Sequence, residues 1–183
     1  MTFLELAEKR ESCRRFSAQP VERSLIESCL EAARLAPSAC NAQPWSFIVL
    51  DRSRENRARL APALTGVYRA SSFILDAPVL IVVETRRDIF ITRLGRMMRG
   101  VQYSLIDIGI ACQHLVLQAT ELGLASCWIG WFNEKKLKKS LKLPRSARID
   151  VILALGYNRE PADVRRKIRK ELPEIRSYFF AEE

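Results

Sequence analysis

Runs of apolar and polar residues divide the chain into alternating helices and strands. Apolar positions recur at helical spacing from Phe3 to about Arg10, from about Glu22 to Leu35 and from Val101 to Leu122. In the first helix, Phe3, Leu4 and Leu6 should face inward. Apolar runs typical of buried strands begin at Ser46, Ala77, Ala125 and Ala147. Strands separated by helices without a strict βαβ repeat predict an α+β fold or a three-layer α/β/α sandwich.

The helix predicted from Val101 to Leu122 is apolar on nearly every face, from Leu105 and Ile106 to Leu115 and Val116. A helix that is hydrophobic all round is a buried one. In a small chain we expect one of its faces to be covered by a second subunit, which predicts a homodimer. The alternative is a monomer whose own sheet wraps the helix.

Length and composition fit one domain over residues 1–183. The chain is 48% hydrophobic and 28% charged, enough to bury a core. No apolar run approaches the ~20 residues that span a bilayer, so we expect no membrane segment. The N-terminus carries charges at Glu5, Glu8, Lys9 and Arg10 and lacks a signal-peptide core. A cytoplasmic protein is expected.

Cysteine and histidine usage argues against several kinds of site. The five cysteines are widely spaced, without a C-x-x-C pair, which favours reduced thiols over disulfides or a zinc site. The single histidine, His114, lies in an apolar helical run, which disfavours a catalytic triad and a His-rich metal site. No G-x-G-x-x-G or G-x-x-x-x-G-K-[ST] motif occurs, so Rossmann and P-loop folds are not indicated.

The net charge of +9 and the pI of about 9.7 raise the question of nucleic-acid binding. The basic residues are scattered along the chain and form no stripe interleaved with aromatic residues, so nucleic-acid binding is disfavoured. A local anion site, such as one for a phosphate group, would need only two or three of them.

Three separate stretches carry polar groups unsuited to a plain core. In RESCRRF, extended backbone would place Arg10, Ser12 and Arg14 on one side, where they could hold one anion or form a solvated basic turn. In PSACNAQPW, polar groups next to Trp45 suit a flat heteroaromatic ligand, although they also suit turn capping. In GLASCWIGWF, Gly130 would let backbone amides approach a ligand closely.

In this order, these stretches resemble the nitroreductase family of flavin enzymes. The matching pieces are R-x-S-x-R-x-F from Arg10, A-P-S-A-x-N-x-Q-P-W-x-F from Ala36, D-A-P from Asp76, D-x-G-x-A-x-Q from Asp107, L-G-L-A-S-C-W-I-G from Leu122 and L-G-Y from Leu155 with a basic cluster after it. The resemblance covers almost the whole chain. It implies a three-layer α/β/α sandwich with a mixed, mostly antiparallel sheet, an intertwined homodimer and FMN bound at the interface.

The resemblance also implies roles for individual residues. Arg10, Ser12 and Arg14 would hold the FMN phosphate and ribityl chain, joined by Arg165 and Lys167, with Arg166 as the neighbouring alternative. Pro37, Ser38, Ala39 and Asn41 would border the flavin ring from the other subunit, and Cys40 lies among them with an open role. Trp128, Ile129, Gly130 and Trp131 would line the other side, with the amides of Gly130 and Trp131 near flavin N5 and O4.

The implied activity is transfer of a hydride from NADH or NADPH through FMN to a small electron-poor acceptor, such as a nitro compound or a quinone, in a ping-pong cycle. The alternatives are reductive dehalogenation, flavin reduction and flavin binding without turnover. Trp131 stands where the family often has glycine, and Ala70 or Ser71 where it often has a polar flavin contact. Arginines between Glu84 and Arg99 would either meet an acidic substrate or the NADPH phosphate, or lie on a solvated basic helix.

Overall fold

The computed structural model describes residues 1–64, 73–86, 100–160 and 167–179. Five α-helices lie in these ranges: α1 (Phe3–Lys9), α2 (Arg23–Arg34), α3 (Arg54–Leu64), α4 (Tyr103–Glu121) and α5 (Glu134–Ser140). The strands described are β1 (Trp45–Asp51), β2 (Val79–Thr85), β3 (Ala125–Ile129) and β4 (Arg148–Gly156). Short 3₁₀ turns cover Ala39–Asn41 and Leu172–Ile175.

The four strands form one sheet in the order β1-β2-β4-β3, and each neighbouring pair is antiparallel. Phe47 faces Val83 across β1 and β2, and Val83 faces Val151 across β2 and β4. A single parallel bridge joins Ser12 to Ser126 on the outer side of β3. The described pairings are therefore mixed and mostly antiparallel, as expected.

Two apolar cores lie on opposite faces of this sheet. Alternate residues of a strand point to opposite faces, and β2 follows this rule with Ile81 in one cluster and Val82 in the other. The first core includes Leu60 of α3 and Leu137 of α5. The second includes Cys29 of α2 and Leu115 of α4. Helices thus cover both faces, which makes the fold a three-layer α/β/α sandwich.

The prediction for the first helix was right in its extent, while of the three residues expected to face inward Leu6 is half-buried and Phe3 and Leu4 are exposed. A capping box starts α1, because Thr2 N–H donates to Glu5 Oε2 at 2.7 Å and Glu5 N–H donates to Thr2 Oγ1 at 3.3 Å. Phe3 and Leu4 are 67% and 73% exposed, and α1 contributes no fully buried residue. This short helix lies on the end of α4, so it has too little neighbouring structure to cover them.

The long helix α4 is confirmed, and it is buried on most of its circumference. Ala111, Cys112, Leu115 and Val116 are fully buried, whereas Leu105 and Ile106 are 40% and 50% exposed. The exposed pair leaves an apolar face near the N-terminal end of the helix. This face is the kind of surface for which the sequence predicted a second subunit.

Two of the quoted motifs meet at the end of β4. A Cβ added to Gly156 would lie 2.5 Å from Cδ of Pro78 and 3.0 Å from Cδ1 of Phe16. Pro78 belongs to the D-A-P segment and Gly156 to L-G-Y, so glycine is required here by close packing and not by backbone conformation. Phe16, the last residue of R-x-S-x-R-x-F, packs at the same place.

Candidate functional site

Residues 11–17 extend the edge of the sheet, first beside β3 and then beside the residues that follow β4. Ser12 is bridged to Ser126, and Cys13 N–H donates to the Ser126 carbonyl at 2.9 Å. Farther along, Ser17 N–H donates to the Tyr157 carbonyl at 2.9 Å. The sequence predicted this segment as an extended basic stretch, and its backbone is held between β3 and the residues that follow β4.

Extended backbone directs the side chains of this segment alternately inward and outward. Cys13 is buried, whereas Ser12 and Arg14 on either side of it are exposed. Arg10, two residues earlier, is half-buried at the end of α1. The Ser12 hydroxyl and the Arg14 guanidinium therefore lie on the outer side of the segment, and the Arg10 guanidinium precedes them in the chain.

Lys167 joins the same region from the far end of the chain. Its ammonium donates to the carbonyl oxygens of Ala7, at 3.3 Å, of Arg10, at 2.6 Å, and of Glu8. Burial lowers the pKa of Lys167, and the neighbouring cations of Arg10 and Arg169 lower it further. Cations concentrated in this way favour the approach of an anion.

The predicted basic group is therefore brought together in part. Arg10, Arg14 and Lys167 gather around the C-terminal end of α1, and Arg169 is an addition that the sequence reasoning missed. Arg165 and Arg166 lie outside the described residues, as do Ala70, Ser71 and the arginines at 87, 93, 96 and 99. We name the set of Arg10, Ser12, Arg14 and Lys167 the basic cradle, and residues 10–14 the cradle segment.

The loop between α2 and β1 has an unusual backbone. Cys40, Asn41 and Gln43 have φ angles of 51°, 55° and 44°, in the left-handed region that residues other than glycine seldom adopt. The loop is cross-braced, because Gln43 N–H donates to Ser38 Oγ and the Gln43 side chain donates to Asn41 Oδ1, both at 2.9 Å. Pro37, Asn41 and Cys40 are exposed. Backbone strain maintained in this way is often found at functional sites.

A buried carboxylate on α4 holds the loop in place. Asp107 is 4% exposed, and its Oδ1 accepts a hydrogen bond from Ala39 N–H at 3.0 Å. The sequence analysis included Asp107 in a motif without giving it a role. The sequence does contain a signal for this role, because an acidic residue within an apolar helix needs a hydrogen-bonding partner to be tolerated in the core.

The end of β3 presents the third predicted group. Trp128 and Trp131 are 37% and 74% exposed, whereas Ile129 is 4% exposed and its side chain lies in the core. Any contact between Ile129 and a ligand would therefore come from its backbone. Gly130 follows directly, and no atom lies within 4 Å of where its Cβ would be. Neither its packing nor a positive φ requires glycine here.

The sequence matches the model of one known protein family. The model of the family described as "Nitroreductase family" matches residues 7–72 and 65–157 in two overlapping segments. The chain belongs to the nitroreductase family. All three stretches of this nitroreductase-family chain, from the cradle segment through the loop to the end of β3, fall inside the matched residues.

Individual relatives support the same family. An Archaeoglobus fulgidus protein provisionally named NADH dehydrogenase/NAD(P)H nitroreductase is 31% identical over 164 residues, covering 87% of each chain. An iodotyrosine deiodinase from Thermotoga neapolitana is 29% identical over 179 residues, covering 86% of this chain and 89% of its own. A crystal structure of a Desulfovibrio desulfuricans protein in complex with FMN has a TM-score of 0.77, 26% identity and 97% coverage of both chains.

The described residues of this nitroreductase-family chain contain neither a membrane-spanning helix nor a candidate metal-binding group. No helix in those ranges is long and apolar enough to cross a membrane. Within the same ranges, no group of three or more His, Cys, Asp or Glu side chains is arranged to hold a metal ion.

Proposed function

We propose that this chain is an FMN-dependent oxidoreductase that uses NADH or NADPH to reduce a small electron-poor acceptor, such as a nitro compound or a quinone. The observation that carries the proposal is the basic cradle, which gathers cations from both ends of the chain. FMN, when bound, accepts a hydride from the nicotinamide and passes the electrons on to the acceptor.

The donor set of the cradle fits the phosphate end of FMN. Guanidinium groups bind phosphate oxygens through two parallel hydrogen bonds, and a serine hydroxyl adds a further donor. Arg10, Ser12 and Arg14 would supply these groups. Lys167 would contribute mainly its charge, since its ammonium already donates to the carbonyls of α1. Arg165, predicted from the sequence to join them, remains part of the proposal.

Two further groups would complete the site. The backbone amides of Gly130 and Trp131 would donate to the flavin ring, where preorganised donors stabilise developing negative charge. Trp128, Ile129 and Trp131 would line the same side. Pro37, Ser38, Ala39 and Asn41 would border the ring of the partner's cofactor, held in place by the hydrogen bond from Ala39 to Asp107.

The site therefore requires a homodimer, and the exposed apolar residues of α4 and α1 support one. Leu105 and Ile106 on α4 and Phe3 and Leu4 on α1 would become buried between two copies. We also propose a single domain over residues 1–183 and a cytoplasmic location.

Purification under mild conditions and an anaerobic titration test the proposed function. The protein should be yellow, its absorbance should be bleached by NADH or NADPH, and an added acceptor should restore the colour. Comparing the two nicotinamides in the same titration gives the preference between them. A colourless protein that also fails to bind added FMN would overturn the proposal.

An arginine substitution tests the placement of the phosphate. Arg14→Ala should weaken FMN binding by about 1.5 to 3 kcal/mol, or roughly 10- to 150-fold in Kd, through loss of a charge-assisted hydrogen bond. Arg23→Ala is the matched control, because Arg23 is an exposed arginine on α2 whose ion pair with Glu27 lies on the surface. Equal FMN affinity in both variants would move the phosphate site away from Arg14.

Reductive dehalogenation is the second candidate function, favoured by the similarity to the Thermotoga neapolitana iodotyrosine deiodinase. It would use the same cradle and the same cofactor with a different acceptor. A panel of nitroaromatic, quinone and halogenated aromatic acceptors, each with its product identified, separates the two. Release of halide at a rate above that of nitro or quinone reduction would favour the second function.

A further inference from the structure

Cys13 and Cys127 each follow one residue of the bridge between Ser12 and Ser126. Ser12 is bridged in parallel to Ser126, and Cys13 N–H donates to the Ser126 carbonyl at 2.9 Å, which brings Cys13 beside the part of β3 that contains Cys127. Both cysteines are buried, at 4% and 3% exposure, and both belong to the core on the same face of the sheet. Their side chains therefore point in the same direction.

The spacing matches the geometry of a disulfide. Neighbouring strands lie about 4.8 Å apart, and disulfides join residues whose Cα atoms are about 4.4 to 6.8 Å apart. Two cysteines that lie one strand spacing apart and share a side of the sheet can therefore be bridged with little backbone movement. All five cysteines lie in described ranges, and none of them is joined in a disulfide.

The surroundings of this pair differ from those of the other buried cysteines. Burial alone raises the pKa of Cys29 to about 11 and that of Cys112 to about 12. Burial and the neighbouring Cys13 thiol raise the pKa of Cys127, while the cations of Arg14 and Arg10 oppose that rise. A thiolate, the form that reacts with oxidants, is therefore better supported at Cys127.

We propose that Cys13 and Cys127 form a redox-active pair, which a hydroperoxide converts into a disulfide. The Cys127 thiolate attacks one peroxide oxygen, the O–O bond breaks, and a sulfenic acid forms as hydroxide departs. Cys13 then attacks the sulfenic sulfur, the S–S bond forms, and the oxygen leaves as water with the proton of the Cys13 thiol. Two thiols lose two electrons and hydrogen peroxide is reduced to two waters.

The position of the pair gives the disulfide a structural effect. Cys13 lies between Ser12 and Arg14, and Cys127 lies in β3, one residue before Trp128. The bond would couple the cradle segment covalently to the strand that leads to Gly130. Formation of the disulfide itself does not depend on bound FMN, so it can be tested separately from the proposed function.

Peptide mapping under non-reducing conditions tests the pair directly. The Cys40→Ser substitution in the full chain removes the exposed thiol and leaves four of the five cysteines. After treatment with hydrogen peroxide and blocking of residual thiols, the map should contain a Cys13–Cys127 linked peptide. The thiol titre in denaturant should fall from four to two per chain and return to four with dithiothreitol.

Single substitutions give matched controls. Cys13→Ser should abolish the linked peptide, whereas Cys29→Ser should leave it unchanged, since Cys29 lies in the other core. The mapping of the Cys40→Ser chain needs neither of these two variants to fold. A titre that stays at four, a peptide linking a different pair, or conversion of Cys127 to sulfinic acid without a disulfide would each overturn the proposal.

Discussion

Replacing Asp107 by leucine should loosen the loop that borders the proposed flavin site. The carboxylate is buried and accepts the Ala39 N–H at 3.0 Å. A hydrogen bond to a charged group contributes about 1.5 to 3 kcal/mol. Leucine fills the buried position with an apolar side chain and removes the acceptor. Asp107→Asn retains an uncharged acceptor, so it should lose about 1 kcal/mol.

The strain of the loop carries the loss of this contact over to FMN binding. Cys40, Asn41 and Gln43 all have positive φ, and such conformations cost on the order of 1 kcal/mol or more each for residues other than glycine. Without the hydrogen bond to Asp107, the loop is expected to relax toward extended backbone. FMN affinity should then fall by about 10-fold or more, in proportion to the lost bond.

Urea unfolding of the FMN-free protein and a fluorescence titration with FMN measure the two effects separately. Asp51→Leu is the control, because Asp51 also accepts a backbone N–H, from Ser53 at 3.2 Å, in a turn before α3. It should lower stability without changing FMN affinity. If Asp107→Leu binds FMN as tightly as the wild type, or if Asp107→Asn is equally damaged, the positioning role of Asp107 is wrong.

Three further predictions concern packing, assembly and pH. Gly156→Ala should lower the free energy of unfolding by about 1 to 3 kcal/mol, measured by urea unfolding, because its Cβ would overlap Pro78; an unchanged midpoint would contradict this contact. Leu105→Glu should convert a dimer into monomers, measured by light scattering, and a persistent dimer would place the interface elsewhere. Hydrogen bonds from Ser53 and Asn56 lower the pKa of Asp51. Its contribution to stability is therefore present above its ordinary value of 3.8 and is lost as pH falls through the lowered pKa. The difference in urea midpoint between wild type and Asp51→Asn should shrink as pH falls below 3.8, and a constant difference would refute the assignment.

The sequence was sufficient for the elements whose patterns are local. The first five residues of β2, Val79 to Val83, form an unbroken apolar run because both faces of the strand are buried there. Helix α4 is apolar on most sides because most of its circumference is buried. By contrast, α3 and α5 were not predicted. Pro62 interrupts the pattern of the first, and α5 buries only Leu137 among charged residues.

The candidate site was predictable where it depends on residues close together in the chain. Ser12 and Arg14 are exposed beside buried Cys13, as alternation in an extended segment requires. The contacts of Lys167 with α1 and of Ala39 with Asp107 join residues far apart in sequence. No pattern along the chain fixes such contacts, since they depend on how the elements pack.

The placement of residues 11–17 against β3 also affects how safely the chain can be shortened. An unpaired strand edge is a template on which other chains can add, and proteins commonly protect such edges by covering them. The bridge from Ser12 to Ser126 and the bond from Cys13 to the Ser126 carbonyl occupy this edge. A variant that begins after Phe16 would lose three of the four cradle residues, Arg10, Ser12 and Arg14, and uncover β3 at once. Such a protein should aggregate through its sheet edge even where its core remains folded.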